Sequence, residues 1–182
     1  MESIKGVNVT GKRVIVRVDY NVPITDGKID DDTRIIASLR TINYLIDKKA
    51  KIILLSHLGR IKSQADKEKN SLEVVARHLS TLVSCGIYFV PFTRGELVEK
   101  TIQNMNDGEI VILENTRYED YPKSLESSCD EALSKYWASL GDIFVLDAFG
   151  SAHRCHASTY GISKFLPSYS GFLIDNEVSM LD

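Results

Sequence analysis

Cysteine is scarce in this chain. Cys85, Cys129 and Cys155 are an odd number at wide spacing, which argues against a disulfide framework and for a reducing, cytoplasmic compartment. Glycine clusters are missing too. No two of the eleven glycines lie within three positions of each other, so there is no Gly-x-Gly-x-x-Gly dinucleotide loop. Nor is there a Gly-x-x-x-x-Gly-Lys-Ser/Thr phosphate loop. No apolar run approaches the roughly 20 residues of a membrane helix. The start, Met1-Glu2-Ser3-Ile4-Lys5, lacks the apolar core of a secretory leader. Repeats and low-complexity tracts are absent. A net charge of −3 gives neither nucleic acid nor an anionic membrane a reason to bind. What remains is 182 residues of ordinary globular composition, enough for one α/β domain with its own core.

Strand-like and helix-like segments alternate along that length. Residues 14–18 are mostly β-branched and read as a first strand. Asp26-Gly27 follows as a turn signal. A helix is expected from 31 or 32 to 48, with Ile35, Leu39, Ile42 and Ile46 on one face. Continuous apolar runs at 51–55, 87–90, 109–113 and 143–146 read as strands buried on both faces. Residues 61–70 read as a charged, solvated loop. Asn70 with Glu73, and Thr93 with Glu96, offer capping boxes for helices over about 72–83 and 97–105. A further helix buries Ala132, Leu133, Tyr136, Trp137 and Leu140, a short one is expected around 159–165, and an apolar segment at 171–173 leads to an acidic tail. With right-handed crossovers, this alternation gives a doubly wound parallel sheet, Rossmann-like, in one three-layer α/β/α domain.

Such a sheet binds ligands at its carboxyl edge. The loops expected at that edge carry Asp19 and Asn21, His57 and Arg60, Arg117, and Arg154, and Arg34 lies near the start of the first helix. Four arginines thus converge in a mildly acidic protein. Left unpaired they repel one another, so an anion is their natural partner, and the planar guanidinium fork suits carboxylate or phosphate. The bland alternative is that some of them pair with Asp19, Asp32, Glu114 or Asp147 and only hold loops.

The densest polar stretch, Asp147-Ala148-Phe149-Gly150-Ser151-Ala152-His153-Arg154-Cys155-His156-Ala157-Ser158, allows other chemistry. His153, Cys155 and His156 with Asp147 are zinc-ligand types, although adjacent spacings rarely let short side chains meet one tetrahedral ion. Ser151, His153 and Asp147 are the residue types of acyl transfer, without the Gly-x-Ser-x-Gly elbow. His78 falls mid-helix and reads as a boundary residue.

Five motifs resemble phosphoglycerate kinase: Arg17-Val18-Asp19-Tyr20-Asn21-Val22-Pro23, Asp32-Thr33-Arg34-Ile35, Ser56-His57-Leu58-Gly59-Arg60, Leu113-Glu114-Asn115-Thr116-Arg117 and the Asp147 to Ser158 stretch. They run in order from about residue 4 to 181 and cover only the amino-terminal half of that family. The resemblance implies that residues 1–174 are the domain binding 3-phosphoglycerate or 1,3-bisphosphoglycerate. Residues 175–182 would then start the interdomain linker helix. A carboxyl-terminal domain of the same polypeptide, absent here, would bind Mg-ATP or Mg-ADP, so no nucleotide or metal site is expected in this chain. Asp19 and Asn21 would contact the glycerate end. His57, Arg60, Arg117 and Arg154 would hold the phosphate and neighbouring oxygens. Arg34 is similar to the family's catalytic arginine, which also touches substrate. Asp147, Ser151 and His153 would support the loop around Arg154.

Departures from the family pattern fall at Ile61, Thr116, Leu146 and Cys155, and none removes a matched functional side chain. The implied activity is phosphoryl transfer between 1,3-bisphosphoglycerate with ADP and 3-phosphoglycerate with ATP, with this half inactive alone and expected to be monomeric. The alternative is a stand-alone, non-catalytic module for phosphorylated acids. An apolar patch over 172–181 is expected to be exposed.

Overall fold

The computed structural model describes residues 1–148 and 154–174. Six parallel strands form one sheet in the order β5-β6-β4-β1-β7-β8. They are β1 (Arg13–Val18), β4 (Lys51–Leu55), β5 (Ile87–Val90), β6 (Ile110–Leu113), β7 (Ile143–Asp147) and β8 (Ser168–Ser170). Register is direct: Val16 of β1 sits beside Leu54 of β4 and Val145 of β7. A small antiparallel hairpin, β2 (Ile24–Thr25) and β3 (Lys28–Ile29), turns at Asp26-Gly27. The helices are α1 (Thr33–Ala37), α2 (Leu39–Asp47), α3 (Gln64–Lys69), α4 (Glu73–Ser80), α5 (Glu96–Asn104) and α6 (Glu131–Ser139).

Strand periodicity divides the interior into two cores, because successive side chains point to opposite faces. Val14, Val16, Ile52, Leu54, Ile110 and Ile112 pack with Ile42 and Leu45 of α2 and Val75 and Leu79 of α4. Ile15, Ile53, Val111, Leu113 and Phe144 pack with Val98 and Ile102 of α5 and Leu133 and Trp137 of α6. This is the expected three-layer, doubly wound α/β architecture. The chain crosses to the far side of β1 when it enters β7, so the switch point lies between β1 and the strands around it.

Several local expectations are corrected. The long first helix is two, broken at Ser38, whose hydroxyl donates to the Ile35 carbonyl (2.7 Å) and meets the Tyr20 hydroxyl (2.8 Å). That back-bond competes with the helical ladder. The charged loop contains α3, capped by Ser63, which accepts from the Asp66 N–H. Neither capping box forms. At α4 the Leu72 N–H and Ser71 hydroxyl donate to the Glu114 carboxylate instead (2.8 and 2.7 Å). Helix α5 starts from Gly95 at φ 113°, and the Thr93 hydroxyl donates to Glu119. Strand β8 lies over residues for which no element is expected, and it pairs with β7. Phe172, expected on an exposed patch, is buried edge-on against Tyr44 with Arg40 over its ring. Gly6, Gly11 and Lys12 do match Gly-x-x-x-x-Gly-Lys, but Arg13 stands at the hydroxyl position and the run leads into a strand. Among the described residues, no helix is long and apolar enough to cross a membrane.

Candidate anion site at the carboxyl edge

The site starts inside β1. Arg17 is fully buried although it lies in a strand of valines and isoleucine. A buried guanidinium is tolerated only where its donors are met. Its Nε donates to Ser158 Oγ (2.8 Å), its Nη1 to the Val18 carbonyl, and its Nη2 lies 2.8 Å from His57 Nδ1. Ser158 in turn donates from its hydroxyl and its N–H to the two oxygens of Glu126, itself fully buried (2.5 and 2.8 Å). Burial lowers Arg17 from its ordinary value, and the Glu126 and Asp19 charges oppose that shift.

Asp19 and Asn21 follow at the end of β1. Asp19 Oδ1 accepts from the Asn21 N–H (3.1 Å) and from Arg34 (3.2 Å), and Arg34 also donates to the Asn21 carbonyl (2.9 Å). The Asn21 side-chain oxygen accepts from the Gly59 N–H (2.9 Å), which joins this loop to the one carrying His57 and Arg60. Gly59 turns at φ +61°, and a Cβ there would lie 2.8 Å from the Asn70 amide, so this turn needs glycine.

Asn115 clips three loops together. Its oxygen accepts from the Leu58 and Arg117 N–H groups (3.1 and 3.0 Å), and its amide donates to the Leu58 and Asn70 carbonyls (2.7 and 2.9 Å). It therefore sets where Arg60 and Arg117 begin. Burial lowers the Arg117 guanidinium, and Arg154 and Arg60 push the same way against Asp120 and Glu126. His57 is pushed down to about 2, first by burial and then by Arg17, Arg117, Arg154 and His156. His57, Arg60, Arg117 and Arg154 are thus within electrostatic reach of one another, and Arg60 and Arg117 line one cleft. Arg34, Asp19 and Asn21 form a neighbouring group joined to them through Gly59.

Arg34 has a carboxylate partner, Asp19, as the bland reading of the arginines expects. Among the described residues, Arg60, Arg117 and Arg154 pair with none. Three buried polar atoms on the same edge also lack a hydrogen-bond partner: Arg117 Nε, Thr116 Oγ1 and His156 Nδ1. Open clefts flank the 57–60 loop. One, about 550 Å³, touches Asn21 and Gly59, and the other, about 510 Å³, touches Arg60, Lys62 and Arg117. Unpaired guanidiniums, orphaned donors and open space suit an anion with several oxygens.

Asp147 closes β7. Its Oδ1 accepts from the Leu173 N–H (2.9 Å), and a Cβ on Gly171 would lie 2.3 Å from that oxygen. Ser151 and His153, and the expected linker at 175–182, lie outside the described residues. No group of His, Cys, Asp or Glu among the described residues is arranged to hold a metal ion. Sequence reasoning missed Arg17, Asn115, Glu126 and Ser158 as contributors. A lone arginine inside a β-branched run was a readable signal. Ser158 stood at the end of the densest polar stretch with no sign of its partner, and Glu126 carried no signal, since only folding brings them to Arg17.

Comparison with known proteins places the chain in a family. The phosphoglycerate kinase family profile matches residues 4–182. The phosphoglycerate kinase of Lacticaseibacillus casei is 52% identical over 179 residues, and that of Listeria welshimeri is 50% identical over 178. Each alignment covers 98% of this chain and 45% of the relative, so the chain spans about half the length of the curated relatives it matches. The solved phosphoglycerate kinase of Pyrococcus horikoshii superposes with a TM-score of 0.86 at 33% identity, covering 98% of this chain and 44% of that one. The Coxiella burnetii structure gives 0.83 at 35%, covering 98% and 43%. Profile, sequence identity and fold agree: the chain belongs to the phosphoglycerate kinase family.

Proposed function

We propose that this chain is the acid-substrate half of a glycolytic phosphoglycerate kinase. It binds 3-phosphoglycerate or 1,3-bisphosphoglycerate at the carboxyl edge, while Mg-ATP or Mg-ADP is bound by a carboxyl-terminal domain outside this chain. The observation that carries the reading is the group of Arg60, Arg117 and Arg154, which have no carboxylate partner among the described residues and act on one another electrostatically beside buried, unpartnered polar atoms. Such a cluster is stabilised by an anion with more than one charged group.

In this reading Arg60, Arg117 and Arg154 hold the phosphate and adjacent oxygens, with His57 donating a hydrogen bond. Asn21 has its side-chain oxygen occupied by Gly59, which leaves its amide N–H groups to face the glycerate end beside Asp19. Arg34 is aimed by Asp19 and the Asn21 carbonyl while its side chain stays 54% exposed. It is thus free to meet charge arriving from a nucleotide across the cleft. Phosphoryl transfer is catalysed mainly by positioning and charge neutralisation, and Arg34 supplies the second. Asp147 acts through the loops it ties, with Ser151 and His153 assigned the same supporting role. The chain acts as a monomer in the cytoplasm and engages neither nucleic acid nor membrane.

Calorimetric titration of this chain tests the reading. 3-Phosphoglycerate should bind, ATP with magnesium should give no heat of binding, and the two together should give no turnover. Binding of ATP with no response to 3-phosphoglycerate would overturn it.

A further inference from the structure

His57 is an uncharged imidazole among the guanidiniums, and its neighbours dictate where its proton sits. A guanidinium has five N–H groups and no acceptor. At 2.8 Å from Arg17 Nη2, His57 Nδ1 must therefore be the bare, accepting nitrogen. The ring's hydrogen is then on Nε2, and an imidazolium would set N–H against N–H.

Arg17 cannot swing away to relax this demand, because a directional chain holds it from behind. Ser158 Oγ uses its hydrogen on Glu126, so it offers Arg17 Nε only a lone pair. Glu126 is fixed by the Ser158 N–H as well (2.8 Å), and its own carbonyl accepts from the Ala157 N–H (2.9 Å). Arg17, Ser158 and Glu126 are fully buried and His57 is 6% exposed, so water does not substitute for any member.

We infer that Glu126 and Ser158, acting through Arg17, are positioning residues that lock His57 as a neutral Nε2–H donor pointing one way only, toward an oxyanion. The inference rests on the reading of this edge as the phospho-acid site. It adds a specificity rule to that site. The ligand atom facing His57 has to be a hydrogen-bond acceptor, and an analogue with a donor there is rejected, because two donors meet in a buried place. Burial and the surrounding arginines, which push His57 far below the ordinary imidazole range, act in the same sense. The donor therefore stays in place across the physiological pH range, where a solvent-exposed histidine would switch.

The test begins with ¹⁵N imidazole NMR of this chain without ligand. His57 should show a protonated Nε2 and a bare Nδ1, unchanged from pH 5.5 to 8.5. A protonated Nδ1, or titration in that range, overturns the inference whatever the ligand does. Ser158→Ala should shift the His57 resonances toward a mixture of tautomers. It should also weaken 3-phosphoglycerate binding about tenfold, the worth of one charge-assisted hydrogen bond. If Ser158→Ala does not fold, Glu126→Gln is read instead. Its amide can donate to Ser158, let the hydroxyl turn toward Arg17 and cost Arg17 its Nε acceptor, with the same signature at smaller size. Unchanged His57 resonances in a folded variant sink the relay. A locked Nε2–H tautomer in a chain that ignores 3-phosphoglycerate upholds the relay while refuting the ligand.

Discussion

Strand β1 carries one arginine at each end of the sheet, and the two live by different rules. Arg13, at the amino edge, meets Asp142 at 3.3 Å with both side chains more than two-fifths exposed. Arg17, four residues on, is fully buried, and every group it meets is a buried partner of the protein's own. Lys51 repeats the first pattern with Asp107, at 3.5 Å on the surface. Glu114, Asn115, Glu126 and Asp147 repeat the second, each 3% exposed or less. At the amino edge water solvates the charges and the pairs are optional. At the carboxyl edge the protein has replaced water with fixed donors and acceptors, and such a preorganised surface is what stabilises a developing charge.

The sharpest test of this difference is functional. On the proposed reading, in a polypeptide that joins this chain to a nucleotide-binding half, Arg34→Ala should lower kcat about 10³- to 10⁵-fold, the range for an arginine that neutralises a transferring phosphoryl group. The melting temperature should hardly move, since the Arg34 side chain is half exposed. Steady-state kinetics with near-normal kcat would remove Arg34 from the chemistry.

Stability gives the next largest contrast. Arg17→Met leaves Glu126 buried without its countercharge and His57 without its donor, so urea unfolding should show a loss of about 3–5 kcal/mol. A loss comparable to that of an exposed arginine would mean that the buried network is slack and that the two edges do not differ.

How much of this was legible beforehand depended on where the information lay. Strands at 52–55, 110–113 and 143–146 announced themselves, because a parallel strand covered on both faces is apolar throughout. Strand β8 did not. Ser168-Tyr169-Ser170 is short and polar, and it is made a strand by pairing with β7 and by the Ser170 N–H donating to the Glu2 carbonyl. The capping boxes at Asn70 and Thr93 were locally plausible but lost to Glu114 and Glu119, carboxylates delivered from distant sequence. Helix α3 was readable, since Ser63 and Asp66 have capping spacing, but the surrounding charges suggested a loop. In the site, the arginines were visible because each lies in a motif, Arg60, Arg117 and Arg154 in stretches that follow strands and Arg34 in the first helix. The Arg17–Ser158–Glu126 chain joins residues up to 141 positions apart, and no local pattern encodes it.

Acid should reveal the buried edge as well. His57 in the fold takes up its proton only near pH 2, whereas a histidine in the unfolded chain does so near 6.5. Below pH 6.5 the unfolded state therefore binds the extra proton, and stability falls as pH falls toward 2. The slope is about 1.4 kcal/mol per pH unit from this group, and its contribution is complete and flat above 6.5. Between pH 6.5 and 4.5 the unfolding free energy of the wild type should drop by about 2–3 kcal/mol more than that of His57→Gln. Parallel pH profiles would mean that His57 titrates normally in the fold.

The smallest effect belongs to the amino edge, and its smallness is what the comparison requires. Asp142 accepts from the Arg13 backbone N–H (2.8 Å) as well as from its guanidinium. Asp142→Asn therefore keeps an acceptor for the backbone while deleting the charge, and Arg13→Met deletes the other charge while keeping most of the side chain's length. A double-mutant cycle on these two changes isolates the ion pair. Its coupling should lie at about 0.2–1 kcal/mol and shrink further as salt rises from about 0.05 to 0.5 M, roughly a threefold fall in screening length. A coupling above about 2 kcal/mol that ignores salt would put Arg13 in the class of buried pairs. The two ends of β1 would then differ only in what they bind, and not in how they are held.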